Sequence, residues 1–145
     1  MACWNWGKGN AGVAGYIRNT SGAIGYVIQS YVKGVVKAAA LPNLSGEYLK
    51  PTTATGATAL NGIRLDQNLA GQNPNPTVKG AYPIATLTWV LAYETGNGSK
   101  TEAIKEALNY LLSDKAQNKA PSLGFVPLKG DILNKARAAV NRIGN

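Results

Sequence analysis

Apolar residues recur every three to four positions in several stretches, which predicts amphipathic helices. The pattern runs from Val13 to Ile17, from 103 to 112 and from 132 to 143, and such spacing places apolar side chains on one helix face. Asn10 precedes the first stretch and is a residue type that caps helices. The Thr- and Ala-rich stretch 51–61 predicts a further helix, with a proline at its first position.

Short apolar runs rich in β-branched and aromatic residues predict strands. They occupy 23–28, 35–41 and 82–93, and a continuous apolar run of strand length is typical of a strand buried on both faces. A single helical turn is expected at 29–34. Residues 66–81 are rich in Gly, Asn and Pro, which predicts a loop and the main internal boundary. Together the pattern predicts an α/β fold.

The helix after the last strand carries a clear start signal. Ser99 and Glu102 form an S-x-x-E pattern, in which each side chain accepts a hydrogen bond from a free amide of the other residue. We therefore expect a capping box there. Asp131 marks the beginning of the last helix, since an acidic side chain is favoured at the positive end of the helix dipole.

Composition narrows the chemistry that this chain can perform. The 145 residues include 15 basic and 7 acidic side chains, a net charge of +8, with no His and a single Cys, Cys3. Ser-His-Asp, Cys-His and His-metal sites are therefore excluded, as is a disulfide within the chain. The acids are scattered, and no pair stands out as general acid and base. We expect no enzymatic activity, no metal and no cofactor.

The basic residues raise two possibilities, a small anion site at a helix start and a surface that binds nucleic acid. Gly7, Lys8, Gly9 and Asn10 form a Gly-rich turn that opens a helix, and free amides at a helix start favour anions. These four residues are the candidate anion-binding residues; the simpler interpretation is a helix start with a solvated lysine. The basic residues show no cluster with interleaved aromatics, so nucleic acid is not the expected partner.

The sequence shows no targeting signal. The first ten residues lack the basic and apolar regions of a secretory signal, and no stretch approaches the about 20 apolar residues of a membrane-spanning helix. Taken as written, the chain is expected to stay in the cytoplasm. It would be compatible equally with a piece of an exported protein.

Four stretches in order resemble the phosphate-binding proteins of phosphate ABC transporters. They are Trp6–Val13, Gly22–Val27, Tyr82–Trp89 and Leu123–Leu128. The resemblance implies an α/β periplasmic-binding-protein type II fold, in which two lobes clamp inorganic phosphate and deliver it to a membrane permease. It also implies a periplasmic or cell-surface location.

The resemblance covers only the C-terminal half of that family's chain. It implies that residues 1–80 end lobe two and that residues 81–145 end lobe one, with the joint near 72–81. The family's phosphate ligands lie mostly upstream, so no ligand is carried over to this sequence, and phosphate binding by the chain alone is expected to be impaired or absent. The missing half would be supplied by another chain or by a second copy, or the segments would repack into one domain. The alternative is a self-associating structural protein without a small ligand.

Overall fold

The computed structural model describes residues 6–73 and 75–144. The chain divides into two compact units, residues 1–40 and 41–145. The helices are α1 (Gly9–Asn19), α2 (Thr53–Leu60), α3 (Thr101–Leu111), α4 (Asp114–Lys119) and α5 (Gly130–Asn141), and the strands are β1 (Leu41–Pro42) and β2 (Tyr48–Leu49). Short 3-10 turns lie at Gln29–Tyr31, Gly98–Lys100 and Ala120–Leu123. The result is a mixture of helix with a small antiparallel sheet. Cys3 lies outside the described residues.

The first unit is built on α1, which begins at Gly9 rather than after Asn10. Gly9 has φ +62°, a left-handed conformation that favours glycine. Ala14 lies on the buried face of the helix. Gly25 packs so closely against Val13 and Ile17 that an added Cβ would lie 2.9 Å from each side chain. The segment after α1 therefore contacts the helix through a glycine.

The three predicted strands are not paired strands within the described residues. Residues 23–28 and 82–93 carry no ladder partner, and the run 35–41 reaches a strand only at its last residue, Leu41. The physical reason is that a strand forms only when a neighbour accepts and donates its main-chain hydrogen bonds. The side-chain composition of these runs favours a strand, but nothing in the described residues completes the ladder. The predicted helical turn at 29–34 is confirmed by Gln29–Tyr31.

The buried apolar residues of the second unit lie mainly on and just after α2 and at the end of α5. Thr52, not Pro51, precedes the first helical residue, and the Thr52 and Thr55 side chains each accept a hydrogen bond from the other residue's amide. The predicted helix at 51–61 is thereby confirmed with a later start. Gly56 faces Val126, where an added Cβ would come within 2.7 Å of a methyl group. The most buried apolar residues of this unit are Ala59, Leu60, Ile63, Ala81, Val140 and Ile143.

A buried asparagine organises the β1–β2 hairpin and ties it to the end of the long loop. The strands pair Leu41 with Leu49. Asn43 is 5% exposed, and its Oδ1 accepts hydrogen bonds from the amides of Ser45 and Glu47 at 3.0 Å each. Its Nδ2 donates to the Ala81 carbonyl at 3.2 Å. One side chain thus fixes the turn and joins it to a residue 38 positions away.

The C-terminal helices differ from the sequence prediction at their boundaries. α3 begins at Thr101 after a 3-10 turn, and no side chain caps it, so the predicted Ser99–Glu102 capping box is wrong. The 3-10 turn takes up the residues that the box would need. α3 carries the apolar stripe predicted for 103–112 only as far as Leu111, and Ala103, Ala107 and Leu111 are exposed on it. α4 starts a new helix capped by Ser113. The last helix is confirmed, with Asp131 in its first turn.

Side chains hold the ends of these helices together. Arg137 donates through Nε and Nη2 to the Leu112 carbonyl, at 3.2 and 2.7 Å, and forms an ion pair with Asp114 at 3.0 Å. Gln117 donates to the Leu111 carbonyl and accepts from the Leu128 amide, each at 2.7 Å. Free carbonyls at the end of α3 thereby find donors. None of the helices in the described residues is long and apolar enough to cross a bilayer.

We expect Asn43→Ala to lower the free energy of unfolding by about 1–3 kcal/mol. The substitution removes several hydrogen bonds and leaves buried main-chain groups without partners. Urea denaturation followed by circular dichroism measures the change. Asn109→Ala, on an exposed position of α3, is the matched control and should change the value by less than about 0.5 kcal/mol. Equal effects of the two substitutions would contradict the role assigned to Asn43.

Glu47 makes the stability of this hairpin depend on pH. The Gly80 amide donates to its Oε2 at 2.7 Å, and this bond is the main cause that lowers the pKa of Glu47 below its ordinary 4.5. Hydrogen bonds from Asn43 and Ser45 and the charge of Lys79 act in the same direction, while partial desolvation opposes them. Since the folded-state pKa is the lower one, the stabilisation is present above about 4.5 and is lost as the pH falls through the folded-state value.

Glu47→Gln therefore lowers the melting temperature at pH 7, and the difference from the unsubstituted protein shrinks below pH 4.5. Thermal unfolding at a series of pH values measures it. Glu106→Gln, on the exposed surface of α3, serves as control for the loss of one carboxylate. A melting difference for Glu47→Gln that stayed constant down to acid pH would show that its charge plays no part.

Candidate functional site

The four predicted anion-binding residues lie together at the start of α1, but two of them have structural reasons to be there. Gly7 lies against the main chain of Gly12 and Val13, with no room for a Cβ. Gly9 takes the left-handed conformation at the first residue of the helix. Both glycines are therefore explained by backbone geometry. Lys8 is the residue before the helix, and its side chain is exposed.

Asn10 is engaged elsewhere. Its Oδ1 accepts a hydrogen bond from the Ile28 amide at 2.9 Å, so it connects α1 to the end of the segment 23–28. The predicted role of Asn10 as helix cap is wrong for this reason: the residue lies within the helix and caps the amide of another segment. Within residues 6–73 and 75–144, the helix start then presents one exposed cation, Lys8, beside the amides of the first turn.

An open groove of about 350 Å³ runs along α1 next to these residues. Lys8 and Thr20 are among the polar residues that line it, with the aromatic side chains of Trp6 and Tyr16. Trp6 is 95% exposed. The described part of the groove thus offers one charged side chain and hydroxyl or ring contacts to a ligand.

A second groove in the first unit joins two basic residues that are far apart in sequence. Arg18 and Lys37 line it together with Thr20 and Ser21. Sequence reasoning missed this juxtaposition because the basic residues are spread along the chain. A signal was present: residues 1–40 hold four basic residues and no acid. The groove lies at the carboxyl end of α1, where helix carbonyls partly offset the positive charge.

Titratable groups elsewhere serve the fold. Burial raises the pKa of the Tyr82 hydroxyl. Asp66 accepts hydrogen bonds from the amides of Asn68 and Ala70, at 2.8 and 2.9 Å, and so closes a loop. Among residues 6–73 and 75–144, no three acidic or Cys side chains lie close enough together to hold a metal ion.

Several curated proteins that resemble the chain are named phosphate-binding proteins. The chain is 31% identical to the phosphate-binding protein PstS of Methanocaldococcus jannaschii over 159 aligned positions, 94% of this chain and 39% of that protein. It is 29% identical to PstS of Xylella fastidiosa over 91% of this chain, and 27% identical to PstS of Haemophilus influenzae over the same share. The resemblance to phosphate-binding proteins is confirmed.

The share of each chain that the alignment covers is as informative as the sequence identity. The chain spans about two fifths of the length of the curated relatives that it matches. Nearly all of this chain is matched, so the resemblance is not confined to one motif. No family model matches the chain.

The hydrogen bond of Asn10 generates a prediction for the first unit. We expect Asn10→Ala to speed hydrogen exchange of the Ile28 amide by about two- to tenfold, because the amide loses its acceptor and a net hydrogen bond contributes about 0.5–1.5 kcal/mol. Asn10→Asp retains an oxygen at that position and should preserve the protection. Residue-resolved NMR exchange measures both.

Asn19→Ala, at the exposed last residue of α1, is the control for changing an asparagine in the same helix. Unchanged exchange of the Ile28 amide in Asn10→Ala would mean that the side chain does not connect the two segments in solution.

Proposed function

We propose that this chain is part of a phosphate-binding receptor of an ABC transporter. The observation that carries the proposal is the match of 91–94% of the chain to several phosphate-binding proteins. The mixture of helices and short strands is compatible with a portion of a periplasmic-binding-protein type II fold. In this proposal residues 1–80 belong to lobe two, residues 81–145 belong to lobe one, and the receptor works outside the membrane with a permease.

We propose further that residues 1–145 alone bind phosphate weakly or not at all. Tight recognition of an anion requires several donors held in place around it. At the predicted anion site, Gly7 and Gly9 serve the backbone, Asn10 is bonded to Ile28, and Lys8 is exposed. A single exposed lysine beside a helix start is a poor match for a dehydrated phosphate.

The positive charge of the first unit supports the proposal of a phosphate-binding protein. Four basic residues and no acid in residues 1–40 create a positive field that attracts anions at long range. Such a field raises the encounter rate and is screened by salt. Such attraction is in keeping with a protein that binds an anion. We assign no catalytic step and no cofactor.

A second candidate function is a self-associating protein without a small ligand. The observation in its favour is the exposure of large apolar side chains in uncharged segments, such as Ile24 and Leu91, at 98% and 96%. The two functions differ in what they bind, phosphate or polypeptide, so separate measurements distinguish them.

A chimera tests the receptor proposal. The matched part of the Methanocaldococcus jannaschii protein is replaced by residues 1–145, and phosphate binding is measured by titration calorimetry. We expect the chimera to bind within about tenfold of the parent, a cost of no more than about 1.4 kcal/mol. A chimera carrying the corresponding part of the Xylella fastidiosa protein is the matched control. A folded chimera without binding, beside a binding control, would contradict the proposal.

Titration of the 145-residue chain alone tests the proposal that this chain by itself binds phosphate weakly or not at all. We expect no saturable heat with phosphate at micromolar concentration and low ionic strength, where electrostatic attraction is strongest. The complete Methanocaldococcus jannaschii protein, titrated in parallel, is the positive control. Micromolar binding by the chain alone would overturn the proposal of weak binding. Loss of such binding in Lys8→Gln would then assign it to the start of α1.

A further inference from the structure

Two side chains of the β1–β2 hairpin hold the end of the long loop. The Gly80 amide donates to Glu47 Oε2 at 2.7 Å, and Asn43 Nδ2 donates to the Ala81 carbonyl at 3.2 Å. Asn43 Nδ2 also donates to Glu47 Oε2 at 3.4 Å, which joins the two contacts into one cluster. We call these four residues, Asn43, Glu47, Gly80 and Ala81, the clasp.

Burial and backbone geometry keep the clasp in one arrangement. Ala81 is fully covered, and the Asn43 side chain is 5% exposed. A buried amide side chain is costly unless it is hydrogen-bonded, so the bond to the Ala81 carbonyl opposes opening of the cluster. Gly80 has φ +75°, a left-handed conformation that favours glycine, and the Ala81 amide closes the turn on the Val78 carbonyl at 3.2 Å.

The two residues after the clasp extend this fixed position. The Tyr82 amide donates to the Thr55 carbonyl in α2 at 3.1 Å. Pro83 is buried, its ring fixes its own φ, and it restricts the backbone of the residue before it. Residues 80–83 are therefore held on the hairpin and α2 by contacts that are all present within this chain.

The clasp lies where the proposed function places the change from one lobe to the other, and the inference rests on that proposed function. Lobe two ends at residue 80 in it, and lobe one begins at residue 81. We propose that Asn43 and Glu47 are positioning residues for phosphate binding. They hold this crossover in one place on lobe two, and so keep the two halves of the phosphate site aligned without touching the anion.

The expected effect of the clasp is on the fraction of receptor that is ready to bind. Two lobes grip an anion only in orientations that bring both sets of ligands to it, and a loose crossover allows many others. The apparent dissociation constant rises as the binding-competent fraction falls. Such a loss slows association, whereas the loss of a direct contact to a ligand mainly speeds dissociation.

The chimera that carries residues 1–145 within the Methanocaldococcus jannaschii protein is suited to the test, because it contains both lobes. We expect Glu47→Ala to raise its dissociation constant for phosphate about threefold or more, since the binding-competent fraction falls. Stopped-flow fluorescence should show slower association with unchanged dissociation, and calorimetry should show unchanged stoichiometry. Glu47→Gln retains an oxygen that can accept from the Gly80 amide, and it should restore most of the affinity.

Ser45→Ala is the matched control, because it weakens the same turn and leaves both bonds to residues 80 and 81. The Ser45 hydroxyl bonds Asn43 Oδ1 at 2.7 Å and Glu47 Oε2 at 3.1 Å. We expect it to change the dissociation constant by less than about twofold.

The outcomes separate this inference from the proposed function. A chimera that binds phosphate equally well with and without Glu47→Ala overturns the inference and leaves the proposed function standing. Weakening through faster dissociation, or equal weakening by Ser45→Ala, also overturns it. A folded unsubstituted chimera that does not bind, beside a binding control, contradicts the proposed function and with it this inference.

Hydrogen exchange keeps the proposal testable should Glu47→Ala fail to fold. In the unsubstituted chimera the Gly80 and Tyr82 amides should be protected to the same degree with and without phosphate, because the clasp holds in both states. Residue-resolved NMR measures their exchange. Protection of Gly80 that depends on phosphate, or no protection in either state, overturns the proposal.

Discussion

The structure depends on one constraint, that a strand needs a neighbour. Each residue carries a main-chain donor and acceptor, and a helix satisfies them within itself while a strand cannot. The helices α1, α2, α3 and α5 form at or near the stretches that the sequence predicts, whereas α4 was not predicted. The apolar runs at 23–28 and 82–93 lack a ladder in the described residues. The division between elements that form and elements that do not follows from where their hydrogen-bond partners are.

The same constraint explains which parts of the fold are visible in the sequence. Amphipathic spacing predicted α1 and α5, because the residues that make a helix are close together in the chain. The side chains of 82–93 suit the interior of a sheet, and this part of a strand is visible in the sequence. Whether the strand forms depends on main-chain partners elsewhere in the protein. The hairpin at 41–49 went unrecognised because its strands are two residues each. Its organising residue, Asn43, looks from sequence like an ordinary turn asparagine.

The candidate site shows a similar limit. The Gly-rich helix start at Gly7–Asn10 was visible as a motif, yet the structure gives its glycines backbone roles and gives Asn10 a partner at Ile28. No spacing rule predicts a bond between residues 18 positions apart. Arg18 and Lys37 meet in one groove for the same kind of reason. The excess of positive charge in residues 1–40 can be predicted from the sequence, because counting charges requires no knowledge of the fold.

The positive charge of the first unit acts at a longer range than the exposed apolar side chains of the chain do. The positive field of the first unit extends over a Debye length of about 8–10 Å and acts on any anion. The segment 84–93 acts only on contact, through main-chain hydrogen bonds and apolar side chains, and salt does not screen the latter. High salt should therefore weaken the long-range attraction of anions, while it leaves contacts between apolar side chains intact.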